Sequence, residues 1–97
     1  MERRAHIRYE LRQDIRYVLN FTTSEEVLKG ITVNISDVGL GIYTFNFLHI
    51  GQEITITGGL DDTYREGTIK WCKELGEDVY RAGLLFNTGG RLTSSNR

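Results

Sequence analysis

The sequence has no proline, one cysteine, two histidines and one tryptophan in 97 residues. Each scarcity excludes something. Without proline, every turn has to be made by Gly, Asn, Asp or Ser, and strand edges go unblunted by missing N–H groups. Cys72 stands alone, which rules out an internal disulfide and fits a reducing cytoplasm. His6, His49 and that one cysteine show no metal-ligand spacing of the Cys-x-x-Cys or His-Glu-x-x-His kind. No apolar run approaches the roughly 20 residues that a membrane span needs. The N-terminal stretch is rich in Arg, Glu and Asp, so it is no secretory signal. Net charge is only −1, which weighs against a protein that coats DNA or RNA.

What is present fits one modest domain. A chain of this length buries roughly 60–70% of the surface its unfolded form exposes, enough for one core. An apolar fraction of 39% and a charged fraction of 26% are ordinary for a soluble domain. Charge is unevenly spread. Residues 1–20 hold five Arg against three acids, whereas residues 51–80 hold seven acids against three bases. A basic arm on a mildly acidic body suits a discrete anionic ligand better than a polyanion.

Residues 1–13 lack strand alternation. Arg4, Arg8, Arg12 and Arg16 recur every four residues, so a continuous helix would stack like charges at about 0.2–0.5 kcal/mol per pair. An irregular arm is expected there. From Asp14 the period becomes two: Ile15, Tyr17, Leu19 and Phe21 alternate with Arg16, Val18, Asn20 and Thr22, as a first strand. Thr23 to Lys29 is expected as a loop, with Ile31–Ile35 a second strand. The Ser36-Asp37-Val38-Gly39 bend leads to a third strand, Leu40–Thr44. Phe45–Gly51 is a connection whose Phe47, Leu48 and Ile50 are expected to cap the core. Gln52–Thr57 reads as a fourth strand, Tyr64–Lys73, centred on Ile69 and Trp71, as a fifth, and Val79–Phe86 as a sixth. Gly58–Asp62 and Gly76–Asp78 are turns. Short strands at this spacing predict an all-β, antiparallel sandwich or small barrel. The barrel is favoured because closure removes edges that no proline protects. Residues 1–13 then form a flexible arm, 14–87 the barrel and 88–97 a disordered tail.

Catalysis has little to work with. Ser36 has no base near it in sequence. Asp61-Asp62 and Glu77-Asp78 sit in turns, where acids are ordinarily just solvated. His49 reads as a partly buried loop residue and Cys72 as a small packed residue on a strand. The arginine arm alone is more often a solvated or loosely interacting tail than a site. Asn34-Ile35-Ser36-Asp37-Val38-Gly39 alone is what any Asx or Ser turn uses. Both in this order, flanking the first strand pair, carry more. Guanidinium forks donate to phosphate and to guanine O6 and N7, and a side-chain amide and hydroxyl supply acceptors for a guanine edge. The combination points to a receptor for a small guanine nucleotide.

The pairing resembles the PilZ domain family. Its Arg-x-x-x-Arg motif is matched by Arg4 and Arg8, with Arg3 giving the doubled form, and its Asp/Asn-x-Ser-x-x-Gly motif by Asn34, Ser36 and Gly39. Ile69-x-Trp71 and Tyr80-Arg81-Ala82-Gly83-Leu84-Leu85-Phe86 resemble the family's last strand segments, so the likeness spans residues 3–87. It implies a six-stranded antiparallel β-barrel with a flexible N-terminal arm that binds the bacterial second messenger cyclic di-GMP. On that implication Arg3, Arg4, Arg8, Asn34, Ser36 and Gly39 are the ligand-binding residues, with no metal and no further cofactor. Gly39 is expected to allow positive φ and to leave no Cβ in the ligand's way. Trp71 either packs against a base or belongs to the core or rim. The arm would order on binding, and the change would reach an unidentified downstream protein, in the cytoplasm, without membrane insertion or a nucleic-acid polymer. Two other readings stay open: a PilZ-like adaptor that works through protein contacts without ligand, and a small nucleic-acid barrel using Tyr9, Tyr17 or Tyr43 for stacking.

Overall fold

The computed structural model describes residues 9–10, 12–23, 25–60 and 64–87. Its strands are β1 (Tyr9–Glu10), β2 (Asp14–Leu19), β3 (Leu28–Ile35), β4 (Gly39–Thr44), β5 (Glu53–Gly58), β6 (Arg65–Gly76) and β7 (Val79–Phe86). Hydrogen-bonded neighbours run β3-β2-β5-β6-β7-β4, and β4 pairs back onto β3. Every seam is antiparallel, so six strands close into a barrel. Among the described residues there is no helix, hence none long and apolar enough to cross a membrane.

Alternation explains the interior. Ile15 and Tyr17 on β2, Leu40, Ile42 and Thr44 on β4, Ile54 and Ile56 on β5, and Ala82, Leu84 and Phe86 on β7 all point inward and are buried. Their odd-numbered or even-numbered neighbours face out, as a period of two requires. Leu48 and Leu60, from two connections, are buried with them. The Tyr17 hydroxyl reaches across the barrel to the Thr44 hydroxyl, so this buried phenol is satisfied.

The short β1 lies along β3, with Tyr9 opposite Ile35 and Glu10 opposite Asn34. Further along β3, Asp14 stands opposite Ile31, where an unbroken ladder would place Gln13. One extra residue therefore separates β1 from β2 on the same side of β3. The buried Thr32 spans the break: its N–H donates to the Gln13 carbonyl at 2.9 Å, and its hydroxyl accepts the Gln13 N–H at 2.9 Å.

Several expectations change in detail. Within the segment expected as an irregular arm, Tyr9–Glu10 is paired strand. The first barrel strand stops at Leu19; Phe21 sits in the following turn with φ of 60° and 89% exposure, so its place in the alternation reflects no core contact. The next strand begins at Leu28, three residues before Ile31, because Leu28 and Gly30 continue the inward face. Of the three apolar residues expected to cap the core from the β4–β5 connection, only Leu48 is buried; Phe47 and Ile50 are exposed. His49 is exposed too, its ring edge-on to Phe47 at 5.0 Å. Cys72 packs partly buried against the core, as a small strand residue.

Candidate functional site

Two bulges build the site. On β3, Thr32 faces inward opposite Ile42, and period two would send Asn34 inward as well. The ladder slips by one residue between them, so Asn34 pairs with Gly41 and turns to the outer face. On β6, Ile69 faces inward opposite Leu84. A second slip makes Trp71, and not Lys70, the partner of Gly83. Trp71 is thereby turned to the outside, half-exposed, on the face opposite Ile69. Bulges re-aim side chains in this way next to binding sites.

The result is one row across four strands: Asn34 on β3, Gly41 on β4, Gly83 on β7 and Trp71 on β6. The two central glycines leave a floor without side chains, and the outer residues lean over it from both ends. A Cβ on Gly41 would stand 2.9 Å from Asn34 Oδ1, and a Cβ on Gly83 would overlap the Trp71 indole. A hollow of about 120 Å³ lies there, lined also by Lys70 and Arg81.

Its polar groups are unusual. Asn34 Oδ1 and Arg81 Nε are both shut away from water, and among the described residues neither has a hydrogen-bond partner. Such orphans are rare because leaving one unmade costs about 1–3 kcal/mol. The Arg81 guanidinium lies 5.6 Å from the centroid of the Tyr43 ring, its cross-strand neighbour. Lys70 and Arg81 are the charged residues of the lining, and no carboxylate joins them. An acceptor, a charged donor, a half-exposed indole and a flat floor together suit a planar heterocycle attached to an anion.

The residues proposed from the sequence divide accordingly. Asn34 lines the hollow. Ser36 is buried in the β3–β4 bend, its hydroxyl accepting from the Val38 N–H at 3.3 Å and its N–H donating to the Gly39 carbonyl at 3.0 Å. That is the backbone-turn role that Asn-x-Ser sequences ordinarily have. Gly39 does not use positive φ; among the described glycines, Gly51 and Gly59 do. What forbids a side chain at Gly39 is the Leu84 carbonyl of β7, into which a Cβ would run. Arg3, Arg4 and Arg8 lie outside the described residues. Sequence reasoning missed Lys70 and Arg81 as lining residues. Arg81 was within reach, because Ala82, Leu84 and Phe86 facing inward put 81, 83 and 85 outside. So was Lys70, because Ile69 facing inward puts 70 outside; only Trp71 depends on the bulge.

Among solved structures, this barrel is similar to that of the Bacillus subtilis inhibitor of motility MotI/DgrA, with a TM-score of 0.59 at 14% identity. The match covers 90% of this chain and 44% of that one, so the chain spans less than half of that protein's length. At such identity the likeness speaks for the fold. No curated protein matches the sequence. The family model of the PilZ domain matches residues 2–96, nearly the entire length, and the chain belongs to the PilZ domain family.

Proposed function

We propose that this PilZ domain is a receptor for cyclic di-GMP, gripping the dinucleotide between the outer hollow and an N-terminal arm that carries Arg3, Arg4 and Arg8. PilZ domains are in general binding and adaptor modules of cyclic di-GMP signalling and not enzymes, and some members do not bind the ligand. The observation that carries the reading here is Asn34 Oδ1, a buried acceptor without a partner among the described residues, beside the side-chain-free Gly41 and Gly83. A domain acting through protein contacts alone gives no reason to keep that orphan. A guanine N1–H or N2–H supplies what it lacks.

The arm's approach supports the same reading. β1 is antiparallel to β3 with Tyr9 opposite Ile35, between Asn34 and Ser36. The described chain thus enters β1 beside the Ser36–Gly39 bend, and Arg8 directly precedes Tyr9 in the sequence. Arg4 and Arg8 then fork onto the phosphates or stack on a purine. The Asn34 amide accepts from the base, Ser36 and Gly39 hold the bend, and the Trp71 indole offers a stacking face. Of the arm, residues 1–13, Tyr9–Glu10 already pairs with β3; the residues ahead of it order on the ligand, against the barrel of 14–87. The new surface is read by a downstream protein in the cytoplasm.

Calorimetric titration of the full chain with cyclic di-GMP tests this. Arg4→Ala and Arg8→Ala are each expected to weaken binding by about 10- to 150-fold, the worth of one charged hydrogen bond. Absence of any response by the wild type at high micromolar ligand rejects the receptor reading.

A further inference from the structure

The geometry points to Arg81 as a specificity-determining residue that selects guanine by donating to O6 of the base, an inference that rests on the hollow being the cyclic di-GMP site. Arg81 belongs to neither motif of the arm and the bend. Its Nε is buried and unpartnered among the described residues, and it lines the same hollow as the equally unpartnered Asn34 Oδ1. A guanidinium carries N–H donors and no acceptor, so this atom can serve the ligand only as a donor. The Tyr43 ring on β4 holds the guanidinium without offering its ring face as a strong acceptor.

One donor and one acceptor in one hollow amount to a complement. Guanine carries its O6 acceptor between N7, another acceptor, and N1–H, a donor. The side edge of a guanidinium presents Nε–H beside an Nη–H, the fork that meets O6 and N7 together. With that fork on the O6 corner, the neighbouring N1–H faces Asn34. Adenine puts an amino group at position 6, so the Arg81 donor would meet another donor and both would go unsatisfied. With no side chain at Gly41 or Gly83, the Asn34 amide and the Trp71 indole lie close over the strands, and the hollow between them is where the base would enter.

A cycle between protein and ligand tests this. Wild type, Arg81→Met and Arg81→Lys are titrated calorimetrically with cyclic di-GMP and with its analogue carrying 2-aminopurine, which keeps N7 and the 2-amino group but lacks O6 and N1–H. Wild type is expected to prefer cyclic di-GMP by about 100-fold or more. Arg81→Met should bind cyclic di-GMP at least about tenfold more weakly and lose about the same factor of preference, because the partner of O6 is already gone. Arg81→Lys retains the cation on Tyr43 without the fork; if Arg81→Met does not fold, loss of preference in Arg81→Lys decides by the same measure. A variant that folds and keeps the full wild-type preference overturns the role of Arg81 and leaves the receptor reading standing. Equal affinity of the wild type for both ligands does the same, whereas a wild type that binds neither overturns both.

Discussion

Thr32 and Asn34 stand two residues apart on β3, on opposite faces of one wall. Thr32 points into the barrel, fully buried, and is bonded through its N–H and its hydroxyl to Gln13. Thr44 and Tyr17, the other polar side chains facing the interior nearby, bond each other. Asn34 points out, its Oδ1 just as sealed from water, and has no partner among the described residues. The inner face thus completes its own hydrogen bonds, while the outer hollow keeps an acceptor and a donor in reserve. Folding selects for the first arrangement, since a buried unpaired group only costs stability. The second gives the fold no return, which is the ground on which the hollow is proposed as a ligand site.

The largest expected effect lies on the inner side of that contrast. Ile42 is fully buried, next to Thr32 and Ala82 in the inner row. Ile42→Ala should lower the unfolding free energy by about 2–5 kcal/mol, as transfer and cavity terms add. Urea melts give the stability, and titration well below the midpoint gives the affinity, which should stay within about threefold of wild type. A large loss of affinity in the folded variant would mean that inner packing and outer site are not separable.

The Tyr17–Thr44 pair sets a smaller effect with a pH signature. Burial raises the Tyr17 pKa above its ordinary 10.0; the hydrogen bond from Thr44 works the other way, and the nearby Cys72 adds to the rise. The neutral phenol is thus favoured by the fold. Its contribution is complete below pH 10, where the unfolded phenol is also neutral. It fades as the pH climbs from there through the raised folded value. Tyr17→Phe should cost about 1 kcal/mol at neutral pH. Thermal melts across the alkaline range should show a shallower decline for the variant than for the wild type. Parallel declines would mean that the phenol contributes nothing to alkaline unfolding.

Most of the barrel was legible because alternation is a local signal. Ile15 and Tyr17, Ile54 and Ile56, and Ala82, Leu84 and Phe86 announce their faces without help from the rest of the chain. The site was half legible. Asn34 was named for its chemistry, but its outward aim depends on a one-residue slip against β4, and slips are settled by pairing across strands. The same holds for Trp71. Gly39 was singled out for the wrong reason, since what crowds it is a β7 carbonyl 45 residues away in sequence. Phe21 misled because an alternating pattern carries no mark of where the strand ends.

The smallest effect on stability is expected where the effect on function is greatest. Asn34→Ala removes an acceptor that bonds nothing among the described residues, so no hydrogen bond of the described fold is lost with that oxygen. Its neighbour across the strand is Gly41, which gains room and loses no support. The unfolding free energy should therefore stay within about 0.5 kcal/mol of wild type. Thr32→Val, two residues earlier, strands the Gln13 N–H and should cost about 1–3 kcal/mol. Cyclic di-GMP affinity should rank the two in reverse, with Asn34→Ala weaker by about tenfold and Thr32→Val near wild type. Melts and titrations of both proteins side by side measure this exchange. If Asn34→Ala costs as much stability as Thr32→Val, the Asn34 amide serves the fold and the acceptor was never held in reserve.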